Sequence, residues 1–375
     1  MLRPDDAALA GLSTPCLVVD GDALRRNVDK MAALARVAGV KLRPHAKTHK
    51  SPEIASRQIK AGAIGIACAT ISEAEMLAEA RIPGLLLTSP VMSAGAFARM
   101  AKLNREHGLM AVVDHAMQVE ALAAALQSGD PPFGVLVDVD VGQARTGIVG
   151  IADGVRLAQM IAEQPKLKLM GVQGFAGNAQ HIPDSAERTA ASQSVADKLA
   201  KLRDALSSKG LSPSIISGSG TGTQNVDANG PYTELQVGSY VFIDADYDRI
   251  RDERNEPLPF VPSLFVLATV ISVNRPGEVT VDAGTKALAT NGPAPVILLG
   301  APSGTRYRFA GDEHGIVSIP EGQLSPQLGA RILIGATHCD PTVNLHAFYH
   351  EVADAALTRW PILGRYGAYD TEAAS

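Results

Sequence analysis

"LMAVVDHAMQVEALAAALQSGDPPFGVLVDVDV", residues 109–141, decides the architecture. Two short apolar runs, 109–115 and 133–141, flank a helix-like stretch at 116–128. Strands alternating with helices argue for a parallel sheet. The same alternation continues outward. Strand-like runs stand at 39–46, 63–69 and 84–91 before this stretch, and at 167–175, 214–220 and 235–244 after it. Helix-like segments fall at 51–60, 72–81, 94–107, 154–164 and 186–210. The link "TGTQNVDANGPY" is too rich in Gly and Asn to read as a helix. Eight such units fit a closed (β/α)8 TIM barrel better than an open sheet. A helix opens the series at Asp22, with Asp as its N-cap and Gly39 at its end.

From about residue 260 the pattern changes to β-branched runs broken by Pro and Gly, which reads as a C-terminal, mainly antiparallel β domain. The expected boundaries are 20–255 for the barrel and 256–375 for the β domain. The opening strand "TPCLVVDGD" lies in residues that could pair with either, so 1–19 are open to joining the second domain.

The 375 residues carry a net charge of −5, which gives no case for nucleic acid or an anionic membrane surface. Cys16, Cys68 and Cys339 are scattered and odd in number, against both a disulfide framework and a zinc ribbon. The N-terminus lacks a signal-peptide core, and no window reads as a membrane span. The expectation is a soluble, cytoplasmic enzyme.

In a parallel barrel the chemistry gathers at the C-terminal ends of the strands. The first strand ends in "RPHAKTHK" (43–50), with Arg43, His45, Lys47, His49 and Lys50 and no acid. A lysine in a barrel mouth among like charges would favour its free amine, the form a Schiff-base nucleophile needs. The bland alternative is a solvated basic face. The seventh strand ends in "SGSGTGT" (217–223), whose small residues let backbone N–H groups approach an anion. Barrels often hold a phosphate in the loops after strands seven and eight, and Tyr240 could donate a phenol to it. Arg145, in "DVDVGQARTG", either reaches something anionic or pairs with Asp138 or Asp140. "QGFAGNAQH" offers Gln173, Asn178 and His181. In "HCDPTVNLH", His338 and Asp340 at i and i+2 would share one face of an extended strand, with Cys339 pointing away. One imidazole and one carboxylate would make an open site for a hard divalent ion.

Taken in order, "RPHAKTHKS", "VDVDVGQARTG", "GSGTG", "ELQVGSYVF.DADY", "DEHG" and "HCDPTVN" resemble the D-threonine aldolase and D-serine dehydratase group, pyridoxal-phosphate enzymes of the alanine racemase fold type. The resemblance runs from about Thr14 to about Pro361. It implies a (β/α)8 barrel, a C-terminal β domain and a homodimer. It implies that Lys47 carries pyridoxal 5'-phosphate as a Schiff base, with the basic cluster around it. It further implies that Ser219, Gly220, Thr221 and Gly222 hold the phosphate with Tyr240 nearby, and that Arg145 approaches the ring hydroxyl or the substrate carboxylate. Gln173 would join the cofactor pocket, and His338 and Asp340 would bind a divalent metal.

The group's dehydratases typically carry H-x-C at the metal pair, and this chain carries H-x-D, as the aldolases do. That favours Mn²⁺, with Mg²⁺, Co²⁺ or Zn²⁺ as alternatives. The expected reaction is metal-dependent retro-aldol cleavage of D-β-hydroxy-α-amino acids to glycine and an aldehyde, with Lys47 and His181 as the catalytic side chains. The alternative is β-elimination by a D-serine or 3-hydroxy-D-aspartate dehydratase. Phe175 and Asn178 stand where the aldolases tend to show Tyr and His, which leaves the substrate side chain open. Residues 312–315, "DEHG", receive no role.

Overall fold

The computed structural model describes residues 2–366, and these fall into two compact units. One takes Met31–Gly238, Arg251–Glu256 and residues 363–366. The other takes residues 2–30, Ser239–Ile250 and Pro257–Ile362. Among the described residues no helix is long and apolar enough to cross a membrane.

The first unit is built on eight parallel strands. Their order is Lys41–Leu42, Glu234–Leu235, Ile215–Gly218, Leu167–Gly174, Phe133–Asp138, Met110–Val113, Leu86–Leu87 and Ala67–Cys68. An isolated parallel bridge between His45 and Ala67 joins the two ends of this series and closes the ring. The strand Phe133–Asp138 is buried at all six positions, as expected where helices cover one face and the barrel interior the other. Leu86, Val112 and Leu136, from three neighbouring strands, pack into one apolar cluster. Helices Pro52–Lys60, Ile71–Glu79 and Ala94–His107 each start on a side-chain cap, from Ser51, Thr70 and Ser93. The helix Ala94–His107 ends on Gly108 in the left-handed region, a position that favours glycine.

Several expected elements differ. The first barrel strand is two residues, not the eight of 39–46, because Pro44 removes a ladder donor and the chain turns at Ala46. The eighth pairs only over Glu234–Leu235, and Ser239–Val241 is a 3-10 turn in the other unit. Gln224–Asp227, in the link read as loop, makes one helical turn. The helix Gly21–Ala38 takes its N-terminal cap from Asp20, whose Oδ1 accepts the Ala23 N–H at 2.8 Å, rather than from Asp22.

The second unit carries a nine-stranded, mostly antiparallel sheet among the described residues. Cys16–Asp20 lies inside it, antiparallel to Leu264–Arg275 and parallel to Phe348–Ala353. This resolves the pairing of the opening strand. Its apolar side chains join Leu9, Phe265, Leu267 and Leu333 in one core.

Candidate active site

The backbone delivers Lys47 to the end of the first barrel strand. The His45 N–H donates to the Val237 carbonyl at 3.0 Å, extending the ladder by one more step. The chain then turns through the 3-10 segment Ala46–Thr48, where His45 Nδ1 accepts the Lys47 N–H at 3.3 Å. Lys47 lines a cavity of about 90 Å3 together with His45, Thr88, Arg145, Gln173 and Phe175. Larger clefts, of about 700 and 800 Å3, lie on the two units elsewhere, and neither is lined by a lysine.

The basic octapeptide is not a cationic cluster around Lys47. Arg43 is buried and donates from Nε and Nη2 to Glu234 at 2.7 and 2.9 Å, and from Nη1 to the Gly84 carbonyl. Lys50 is buried against Glu73 at 2.5 Å. His49 Nδ1 accepts the Ser51 N–H at 3.1 Å. Two of the three formal charges, on Arg43 and Lys50, are therefore neutralised inside the protein. Of the five side chains, Lys47 and His45 line the cavity, with His45 Nε2 3.0 Å from Thr88 Oγ1.

Arg145 rides on a loop closed at its base by a bridge between Val139 and Ile148. Inside the loop the Asp140 carboxylate accepts the N–H groups of Gly142 and Ala144 at 2.9 and 3.0 Å. Slight burial pushes Asp140 up, but those amides and Lys198 outweigh it and hold the carboxyl below its usual range. Asp138 is held by Thr146 and Gln173 instead. Among the described residues Arg145 stands at salt-bridge distance from neither Asp138 nor Asp140, although its charge opposes the burial that pushes the Asp138 carboxyl up, and it lines the cavity. Asn178 is exposed and donates to the Gly142 carbonyl at 3.3 Å, tying its own turn to this loop.

Gln173 forms the cavity wall. Its two N–H bonds go to the Thr88 carbonyl and Asp138 Oδ1, each at 3.0 Å, and its Oε1 accepts from Gln236 at 2.9 Å. That leaves one lone pair for a ligand. Burial pushes Asp138 up despite the Gln173 and Thr146 bonds, and Asp114 adds to the rise. His181 ends the 3-10 turn Asn178–His181, half-buried, and is not among the residues lining the Lys47 cavity.

The loop after the seventh strand is buried from Ile216 to Gln224. Its glycines are demanded by Gln180: a Cβ on Gly222 would lie 2.0 Å from the Gln180 carbonyl oxygen. Gln180 Oε1 accepts the N–H groups of Gly222 and Thr223 at 3.0 and 3.2 Å. Behind them Thr223 donates to Asp227, which also accepts from Ser192 at 2.5 Å. Burial pushes Asp227 up, against the bonds from Ser192, Thr223 and Ser219. The Gly220 amide has no acceptor among the described residues. That amide is a donor for an anion at a point where the small residues let one approach, which fits a phosphate. Gln180 gave no signal in the sequence, since its partners lie some forty positions on.

In the second unit, His338 and Asp340 do not lie on a strand. His338 is extended and forms the N-cap of a helix, Cys339–Leu345, whose first turn holds Asp340. The two still face each other, with His338 Nε2 4.0 Å from Asp340 Oδ1. Cys339 is buried, and its N–H donates to Asp244 Oδ2 at 2.9 Å. Asp244 also accepts the Tyr247 N–H at 3.0 Å, and burial pushes its carboxyl up. Among the described residues no group of three or more His, Cys, Asp or Glu is gathered for a metal. The pair therefore fits only an ion whose other positions go to water or substrate. Tyr240, expected in a strand, sits in a 3-10 turn and is buried with its ring centroid 5.7 Å from that of Phe260. Residues 312–313 pair with Lys286, at 3.6 Å from Asp312 and 2.6 Å from Glu313.

The family model "Alanine racemase, N-terminal domain" matches residues 19–246, and a serine dehydratase domain model matches 263–352. A D-threonine aldolase from Arthrobacter sp is 38% identical over 97% of this chain and 95% of its own. The chain belongs to the D-threonine aldolase and D-serine dehydratase family, with the alanine racemase fold. A 3-hydroxy-D-aspartate aldolase from Paracoccus denitrificans is 34% identical over 96% of this chain and 93% of its own. The crystal structure of a D-threonine aldolase from Filomicrobium marinum superposes with a TM-score of 0.89 at 36% identity, covering 94% of this chain and 96% of that one. These relatives are named as aldolases, which are carbon–carbon lyases. The fold family implies pyridoxal phosphate.

Proposed function

We propose that this chain is a pyridoxal-phosphate- and divalent-metal-dependent aldolase that splits D-β-hydroxy-α-amino acids into glycine and an aldehyde. The observation that carries the reading is Lys47, a half-buried amine in a small polar cavity at the end of a barrel strand, in a chain whose relatives are named D-threonine and 3-hydroxy-D-aspartate aldolases. Bound there, the cofactor supplies an electron sink for the carbanion left at Cα. The Lys47 amine is the nucleophile that holds the cofactor aldehyde. The Gly220 amide, with Ser219, Thr221 and Gly222 shaping the loop and Tyr240 as a phenol donor, binds its phosphate. Arg145 offers a guanidinium to the ring oxygen or the substrate carboxylate. Gln173 keeps the wall in place.

His338 and Asp340 would hold the divalent ion, with Mn²⁺ favoured over a softer choice because one donor is a carboxylate. Such an ion would acidify the β-hydroxyl of the substrate. His181, which does not line the Lys47 cavity, is the candidate base for the β-hydroxyl proton, directly or through a water. Phe175 presents an apolar face to the cavity, which suits substrates with little polarity near that wall. The chain acts as a homodimer in the cytoplasm, on a small amino-acid substrate.

The test is product analysis after incubation with D-threonine or 3-hydroxy-D-aspartate, cofactor and Mn²⁺. Glycine plus an aldehyde is expected, lost on adding EDTA. A 2-oxo acid with ammonia would mean elimination instead. Lys47→Ala should remove both turnover and the visible absorption of the lysine-bound cofactor. Colour and activity that survive this change would overturn the assignment of Lys47.

A further inference from the structure

The ring of His338 has a second neighbour that the metal reading does not use. Asn291 places its side-chain nitrogen Nδ2 2.8 Å from His338 Nδ1, while Nε2 is the nitrogen that faces Asp340. A neutral imidazole carries one proton, and a metal needs the lone pair of the nitrogen it binds. For Nε2 and Asp340 to ligate one ion, Nδ1 must therefore hold the proton. The group at 2.8 Å must then be an acceptor. An asparagine amide meets that demand with its carbonyl oxygen after a half-turn about its last torsion. We infer that Asn291 is a positioning residue that accepts the Nδ1 proton of His338 and so frees Nε2 for the metal.

The loop that carries Asn291 is clamped to the same segment at several other points. Thr337 Oγ1 donates to the Pro293 carbonyl. The Ala289 N–H donates to Thr342 Oγ1 at 3.1 Å, and that hydroxyl donates to the His338 carbonyl at 2.8 Å. His346 Nε2 lies 2.9 Å from the Ala287 carbonyl. Gly292 has φ +128°, and a Cβ there would come within 2.9 Å of Thr337 Oγ1, so the loop runs close against Thr337. Residues 287–293 are thus held against 337–346 by bonds that do not involve Asn291. Its amide is left to act on the imidazole alone. Asn291 is also exposed, so replacing it opens no core cavity.

The inference rests on reading His338 and Asp340 as the metal pair, and the experiment separates the two. Full-length protein stripped with EDTA is titrated with Mn²⁺, following the free ion by electron paramagnetic resonance. Asn291→Leu should weaken binding ~10- to 100-fold, the usual cost of removing the group that orients a metal-binding histidine. Asn291→Asp, which can only accept, should bind Mn²⁺ at least as tightly as the parent. His338→Ala should abolish the site. Parent-like affinity in Asn291→Leu, with binding lost in His338→Ala, would overturn this inference and leave the metal pair standing. Parent-like affinity in both would remove the metal reading and the inference with it.

Discussion

Replacing Arg43 by methionine strands Glu234, almost fully buried, beside Ser217, whose hydroxyl donates to it at 2.7 Å. Breaking one side of a buried ion pair costs ~3–5 kcal/mol, because the remaining charge keeps its desolvation penalty. Urea denaturation should show a loss of that size for Arg43→Met, and the double change with Glu234→Leu should recover part of it. A loss within 1 kcal/mol, roughly the value of an exposed pair, would mean that the site is wetter than the structure implies. The same residue marks the limit of sequence reading at this scale. Lys47 was singled out by its place at a strand end and by the family resemblance, since the basic neighbours that drew the eye to it turn out to be partly neutralised elsewhere. The roles of Arg43 and Lys50 were not legible, because their partners are set by topology: Glu234 stands 191 positions away. Asn291 and Gln180 were invisible for the same reason. An amide carries no spacing signal until the fold brings it to its partner.

Among the elements, the strand Leu167–Gly174 is tightly constrained on both sides. Its pairing with Phe133–Asp138 skips one residue between Leu169 and Gly171, a bulge at Met170. On its other side Gly171 approaches the next strand so closely that a Cβ would fall 1.8 Å from the Ile215 carbonyl oxygen. Gly171→Ala should push the two strands apart at the pair that sets the register of Gln173 and Ser217. The expected cost is about 3 kcal/mol or more, seen as a lower urea midpoint. An unchanged midpoint would show that the barrel wall yields there. The barrel helices were read to within about three residues at each end, since a 3.6-residue apolar period is a local signal. Strands of two residues were overextended, because a barrel needs only a few ladder bonds at each seam. The helix after His338 was read as a strand. Pro341 was the missed sign, since proline is tolerated in the first turn of a helix and not inside a central strand.

For the molecule as a whole, acid should weaken the fold through two histidines of the β unit. Burial pushes both His346 and His350 below the usual 6.5, outweighing the hydrogen bonds to Ala287 and Leu17 that act the other way. A depressed histidine binds its proton more readily when unfolded. Stability is therefore complete above 6.5 and falls as the pH drops from there through the folded-state values. Buried Asp138, Asp227 and Asp244 are pushed up and slope oppositely, so the clean measurement is a difference. His346→Gln should narrow the gap in Tm between pH about 7.5 and about 5.5. A gap as wide as in the parent would clear His346 of any part in acid sensitivity. The two-unit plan was legible as a change of pattern near residue 260. The membership of the opening strand was not, since both its partners lie far down the chain.

That strand also decides when the β unit can exist. Cys16 pairs with Leu267, and Leu17 with Tyr349. At a ribosome adding ~5–20 residues per second, Leu267 emerges roughly 10–50 s after Cys16 does. During that interval the eight parallel strands are all made, while four consecutive apolar or sulfur-bearing residues, Cys16–Val19, wait with no ladder to join. A nascent chain of this protein is thus a finished barrel sequence led by a sticky, unmated strand, and its yield in a cell should depend on chaperones that shield N-terminal segments rather than on the barrel's own speed of folding.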